Sequence, residues 1–171
     1  MQKTPNLKYN SFYQTYIDKV DISTSITENL QNSLNAVFNI LGNISNEQAN
    51  YSYAEGKWTI KEIVQHLIDT ERVFSYRALA ISRQDQNNLP GFNENKYVWF
   101  SNAQNISLTD LLKEFSLIRK ANIAMFKGFS NEMLENTGIA NNHKISVNAI
   151  GYIMSGHVLH HLNVVKERYL S

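Results

Sequence analysis

At 171 residues, with 43% hydrophobic and 18% charged side chains, the chain suits one domain spanning 1–171 and long enough to bury a real core. Lys and Arg number 16 against 15 Asp and Glu, and the resulting net charge of +1 offers no basic field for nucleic acid. With no cysteine, the chain has no disulfide, thiolate ligand or cysteine nucleophile, so any thiol chemistry must borrow its thiol.

The opening MQKTPNLKYN lacks the apolar stretch of a signal peptide, and no later apolar run approaches the ~20 residues that span a bilayer. A cytoplasmic protein without a membrane partner is expected. The first helical periodicity runs from about Ile22 to Leu41, with Ile26, Leu30, Leu34, Val37, Phe38 and Leu41 on one face and a Ser25/Glu28 capping pair inside its start. A second helix is expected from about Thr59 to Arg83. Its start is well signalled, because Thr59 and Glu62 stand at N-cap and N3 spacing, and Ile60, Ile63, Val64, Leu67, Phe74 and Ala78 form its apolar side.

Between the second and third helices lies QDQNNLPGFNENKYVWFSNAQN, longer than a simple turn requires. Its Leu89, Phe92, Tyr97, Trp99 and Phe100 can fold over one end of a bundle, either as a pocket wall that touches a substrate, Phe92 and Trp99 above all, or as a plug for the core. The third helix is expected from about Leu108 to Phe129 behind Ser107, and the fourth from about Val147 to Tyr169 behind Ser146. Almost nothing reads as strand. The fold class is all-α, a four-helix bundle with a long loop between its second and third helices.

The fourth helix carries three of the five histidines, in SGHVLHHLNVVKERYL. At about 100° per residue, Ile150, Ile153, Met154 and Val164 define a stripe that includes His157 and His161, while His160 falls about 80° from its centre. Two imidazoles at i and i+4 share one face a turn apart and can meet one metal ion. His66, on the flank of the second helix's stripe, is the candidate third ligand, and His143 reads as a solvated loop residue. A carboxylate could complete the site instead: Asp69 falls opposite the stripe and Glu71 on it, where an arginine partner is an equal reading. Arg119 and Asn122 interrupt the third helix's apolar face, either to bind a substrate or cofactor or to form an internal polar network.

The segments KWTIKEIVQHLIDTERVFSYRAL, LPGFNENKYV, IANNHKISVNAI and GHVLHHLNVVKERYL together resemble the DinB-like superfamily of small bacterial proteins, over about two-thirds of the chain from Trp58 onward. The resemblance implies a four-helix bundle, commonly dimeric, whose metal ligands here are His66, His157 and His161. It further implies a metal-dependent transferase of a low-molecular-weight thiol, or a metal-dependent hydrolase, acting on a small molecule. Three neutral imidazoles leave a divalent ion its full charge and an open position, and zinc and nickel both suit such donors. Thiol transfer is the expected reaction, with hydrolysis by a metal-bound water or metal binding without turnover as alternatives. Leu159, Leu162 and Tyr169, off the fourth helix's stripe, are apolar candidates for a homodimer contact.

Overall fold

Three hydroxyl side chains set where the helices begin. Ser25, Thr59 and Ser107 each accept a hydrogen bond from the backbone N–H three residues on, at 3.2, 3.2 and 3.0 Å, satisfying one of the free donors at a helix start. Glu62 returns a carboxylate to the Thr59 N–H at 2.7 Å, closing a capping box. In the computed structural model, which describes residues 5–170, the four long helices are α1 (Ile26–Leu41), α2 (Ile60–Ser82), α3 (Leu108–Lys127) and α4 (Val147–Arg168). Met1 to Thr4 and Ser171, the ends of the expected 1–171 domain, lie outside the described residues. α1 starts later than Ile22 because the residues before it form a turn in which Asp21 Oδ1 accepts from the Ser23 N–H at 2.9 Å.

Each helix packs on two others: α1 on α3 and α4, and α2 on α3 and α4. Two of the consecutive pairs, α1 with α2 and α3 with α4, therefore sit diagonally. Two apolar clusters fill the bundle. One gathers Ile26 and Leu30, the Phe74–Ile81 half of α2, Phe126 and the start of α4. The other gathers Leu34–Leu41, the start of α2, Leu108–Phe115 and the Val158–Val165 end of α4. The order of residues in the clusters makes α2 and α3 parallel, so the segment between them must carry the chain back along the whole bundle. The length of that segment thus has a topological cause. It is also more structured than a loop: it contains strand β1 (Asn88–Leu89), a helix at Glu94–Phe100 and a 3-10 turn at Ala103–Asn105.

Between the two clusters all four helices meet in one buried polar network. Arg119 Nη2 donates to Glu71 Oε1 at 2.7 Å and to the Met154 carbonyl at 3.3 Å, and Nη1 donates to Ser33 Oγ at 2.8 Å. Asn122 Nδ2 donates to Glu71 Oε2 at 2.8 Å, and Ser75 Oγ donates to Asn122 Oδ1. Arg119 is fully buried. A charge so placed requires a paired, hydrogen-bonded partner, which Glu71 supplies.

Two parts of the architecture depart from the sequence expectation. The stretch expected to hold almost no strand forms a small sheet: β2 (Thr137–Ala140) pairs antiparallel with β3 (His143–Ser146) and parallel with β1. Asn141 and Asn142, with φ of 50° and 64°, make the two-residue turn between β2 and β3, a conformation that asparagine tolerates well. The second departure is N-terminal. Ser11–Tyr13 leads into the short helix Gln14–Ile17, which packs on α4. A Cβ on Gly156 would stand 2.0 Å from the Tyr16 carbonyl oxygen, so only glycine lets the two backbones come this close. With α1, α2 and this segment around it, α4 is buried from Val147 through Val158, which is wider than one stripe. Leu162 is consequently buried in the core, while Leu159 and Tyr169 are half-buried, the Tyr169 hydroxyl donating to the Trp58 carbonyl at 2.6 Å.

Candidate metal centre

Because α2 and α4 are neighbours, His66 faces the His157/His161 pair across their interface. His66 Nε2 lies 3.0 Å from His157 Nε2, and His161 Nε2 lies 3.1 Å from the same atom. The ligand atoms of the three rings all fall within 4.8 Å of one another. His66 and His157 are buried and His161 is half-buried. Burial pushes the His66 pKa down to about 4. It also holds His157 and His161 well below the usual histidine value, with the neighbouring imidazoles adding to the effect. The three rings are therefore neutral near pH 7 and present nitrogen donors to one point.

That arrangement fits a divalent ion. Tetrahedral bonds of 2.0–2.1 Å to imidazole separate the donor nitrogens by about 3.3 Å, a few tenths more than the two spacings to His157 Nε2. Hydrogen bonding among the three is a poor substitute, since His157 Nε2 is shared by two partners and can serve as donor to only one. Aromatic rings hold the cluster from two sides. Tyr16 stands perpendicular to His157, with centroids 5.2 Å apart, while Trp58 packs at a tilt on His66 at 4.9 Å and stacks on His161 at 6.5 Å.

The cluster opens onto a cavity of about 290 Å³ enclosed by α2, α4, the N-terminal segment and the Gly91–Glu94 part of the crossing segment. His160 lines this cavity, 5.5 Å from the Tyr16 ring, but does not join the converging trio, in keeping with its place at the stripe's margin. His143 is exposed at the start of β3, where its Nδ1 meets Asn10 Nδ2 at 3.1 Å. Asp69 is half-buried and accepts from Gln65, so it is not a fourth member.

Of the residues expected to touch substrate or cofactor, only Phe92 lines the cavity. Arg119 and Asn122 are committed to Glu71 inside the bundle, and Trp99 is 82% exposed on the outer face of the Glu94–Phe100 helix. The reason is physical: a polar break in an apolar helix face satisfied its partner within the core, and the tryptophan's helix turns it outward. The cavity's other lining residues include Tyr13, Tyr16, Trp58, Thr70 and Arg77. Thr70 and Arg77 had a readable signal, since they follow His66 by four and eleven positions on α2 and so share its face. The N-terminal tyrosines had none, because nothing local in SFYQTYI says that it will lie against α4.

A model of the DinB superfamily matches residues 29–165. Among curated proteins none matches the chain. Among solved structures, YfiT from Bacillus subtilis is similar over 96% of this chain and 90% of its own, with a TM-score of 0.73 at 13% identity. That protein is described as "a probable metal-dependent hydrolase with an unusual four-helix bundle topology". At this identity the likeness shows the fold.

Proposed function

The chain belongs to the DinB superfamily, and from that premise we propose that it is a metal-dependent enzyme that transfers a low-molecular-weight thiol onto a small electrophile. The observation that carries the reading is the convergence of three neutral Nε2 atoms on the wall of a cavity, in a chain with no cysteine of its own. His66, His157 and His161 would hold the ion, and zinc and nickel both suit imidazole donors. A bound divalent ion supplies Lewis acidity, favouring the deprotonated form of a thiol or water at its open position.

The chain's own residues do the rest. Tyr16 and Trp58, packed on His157 and His66, keep the rings in place. Burial raises the pKa of the Tyr16 phenol, so it stays protonated at neutral pH and able to donate a hydrogen bond to a group in the cavity. Phe92 gives an apolar surface for the electrophile. In the transfer, the sulfur–carbon bond forms as the carbon–leaving-group bond breaks, the leaving group takes the bonding pair, and the thiol proton passes to solvent.

Hydrolysis is the second reading, favoured by the description of YfiT. It needs the same three histidines and no thiol. Assembly as a homodimer rests on the family resemblance and on the half-buried Leu159 and Tyr169, since Leu162 is taken up in the core. The test is a rate measurement on zinc- and nickel-loaded protein with a panel of small thiols and electrophiles. Transfer requires added thiol, whereas ester or amide turnover without thiol selects hydrolysis. The absence of any metal-dependent rate over both panels would leave a binding module.

A further inference from the structure

The bundle buries two arginines on facing elements and treats them differently. Arg119 has Glu71 at 2.7 Å, although its Nε, like that of Arg77, is buried without a hydrogen-bond partner, so the carboxylate is what separates the two. Arg77, on α2 and only 3% exposed, has no carboxylate within ion-pair distance among the described residues. Its Nη2 donates to the Pro90 carbonyl at 2.7 Å, its guanidinium lies over the Phe74 ring at 5.5 Å, and its Nε is buried without a hydrogen-bond partner. One neutral carbonyl does not balance a guanidinium removed from water.

Arg77 lines the histidine cavity, and so does a second unsatisfied group. Thr70 is 4% exposed, and its Oγ1 is also buried without a partner. Both belong to the α2 face that carries His66. At 1.5 Å per residue, Thr70 stands about 6 Å and Arg77 about 16 Å along the axis from His66 at the backbone. The arginine side chain leans back toward the helix N-terminus, over Phe74, which shortens the second distance. The cavity's one lining carboxylate, Glu94, is exposed and makes no ion pair with Arg77.

We propose that Arg77 and Thr70 form an anion subsite in this cavity that holds a carboxylate of the molecule whose reactive end meets the histidine cluster. A planar guanidinium offers parallel N–H groups that match the two oxygens of a carboxylate, and the Thr70 hydroxyl adds a third donor on the path to the histidines. The ligand class is an elongated small molecule with a carboxylate at one end and the reacting group at the other. The assignment rests on the proposed function for what happens at the histidine end, while the carboxylate end stands on Arg77 and Thr70 themselves.

Calorimetric titration with hexanoate, hexanol and ω-mercaptohexanoate tests it, on metal-free and zinc-loaded protein. Metal-free wild type should bind hexanoate at least about tenfold more tightly than hexanol, the range of a charge-assisted hydrogen-bond pair. Arg77→Gln should abolish that preference with zinc stoichiometry unchanged, and Arg77→Lys should keep part of it. Thr70→Val, a near-isosteric change that serves if Arg77→Gln fails to fold, should weaken hexanoate severalfold and leave hexanol unaffected. Equal affinity for hexanoate and hexanol in wild type, or a preference that survives both Arg77→Gln and Thr70→Val, overturns the subsite. If the terminal thiol of ω-mercaptohexanoate adds no affinity on zinc-loaded protein while the Arg77-dependent preference holds, the thiol reading fails and the subsite stands. Thiol-dependent affinity without that preference sinks the subsite and supports the thiol reading.

Discussion

His66 Nε2 and His157 Nε2 lie 3.0 Å apart although 91 positions separate them in the chain, and His161 Nε2 completes the group at 3.1 Å. One divalent ion per chain is expected. His66→Ala, His157→Ala or His161→Ala should each remove most of it, measured by elemental analysis after dialysis. His160→Ala should keep it, because His160 lines the cavity without joining the group. Full occupancy in His157→Ala would refute the centre.

The same burial gives the metal-free protein a pH dependence. The His66 pKa falls from 6.5 unfolded to about 4 folded, so between these values the unfolded chain binds the extra proton. Stability is complete above pH 6.5 and declines as pH falls toward 4, by up to roughly 3 kcal/mol for His66 alone. His157 and His161, shifted in the same direction, steepen the decline. Urea denaturation of metal-free protein across this range should show the slope, and His66→Gln should flatten it. A flat profile in wild type would contradict the burial of these rings.

Arg119 serves the fold. Arg119→Met leaves Glu71 buried without its partner and should cost about 3–5 kcal/mol in urea denaturation. Glu71→Gln with Arg119→Met should recover part of the loss, revealing coupling between the two positions. Metal content of the folded variants should not change, since neither residue lines the cavity.

Phe92→Ala should raise KM severalfold and leave metal content intact, because Phe92 lines the cavity. Trp99→Ala should change neither, as its ring faces solvent. A KM effect at Trp99 equal to that at Phe92 would show that the substrate extends over the outer face of the Glu94–Phe100 helix.

Gly156→Ala should loosen the N-terminal segment, because the new methyl would meet the Tyr16 carbonyl oxygen. A loss of about 1–3 kcal/mol is expected. Limited proteolysis should find new cleavage among residues 11–17, with α4 still protected. Unchanged stability and protection would mean that the segment has another anchor.

The four helices are legible in the sequence because each carries apolar residues every three to four positions, and the first three also carry a hydroxyl that caps the start. The histidine trio is legible for the same reason, since His157 and His161 are one turn apart on a stripe that can be counted. What escapes a local reading lies in pairings across the chain. Asn141 and Asn142 mark a hairpin only once β2 and β3 are seen to pair, and Leu162 looks free because the burial of α4 comes from α1, α2 and the N-terminal segment together. Arg119 and Asn122 show the converse limit. A polar residue on an apolar face announces a buried partner, yet whether that partner is Glu71 or a ligand depends on a helix 48 and 51 positions away.

The diagonal placement of α1 against α2, and of α3 against α4, bears on how the chain acquires its shape. An ordinary up-and-down bundle can begin from a hairpin of two consecutive helices, a local event with little loop entropy to overcome. Here α1 and α2, and likewise α3 and α4, do not pack extensively on each other, and the one consecutive pair that does pack is parallel and linked by the crossing segment. Productive collapse must therefore await distant partners, and α4, the fourth helix in chain order, supplies contacts to both α1 and α2. Refolding should be slow for an all-helical protein of this length, and a nascent chain lacking α4 should hold neither a bundle nor a place for a metal.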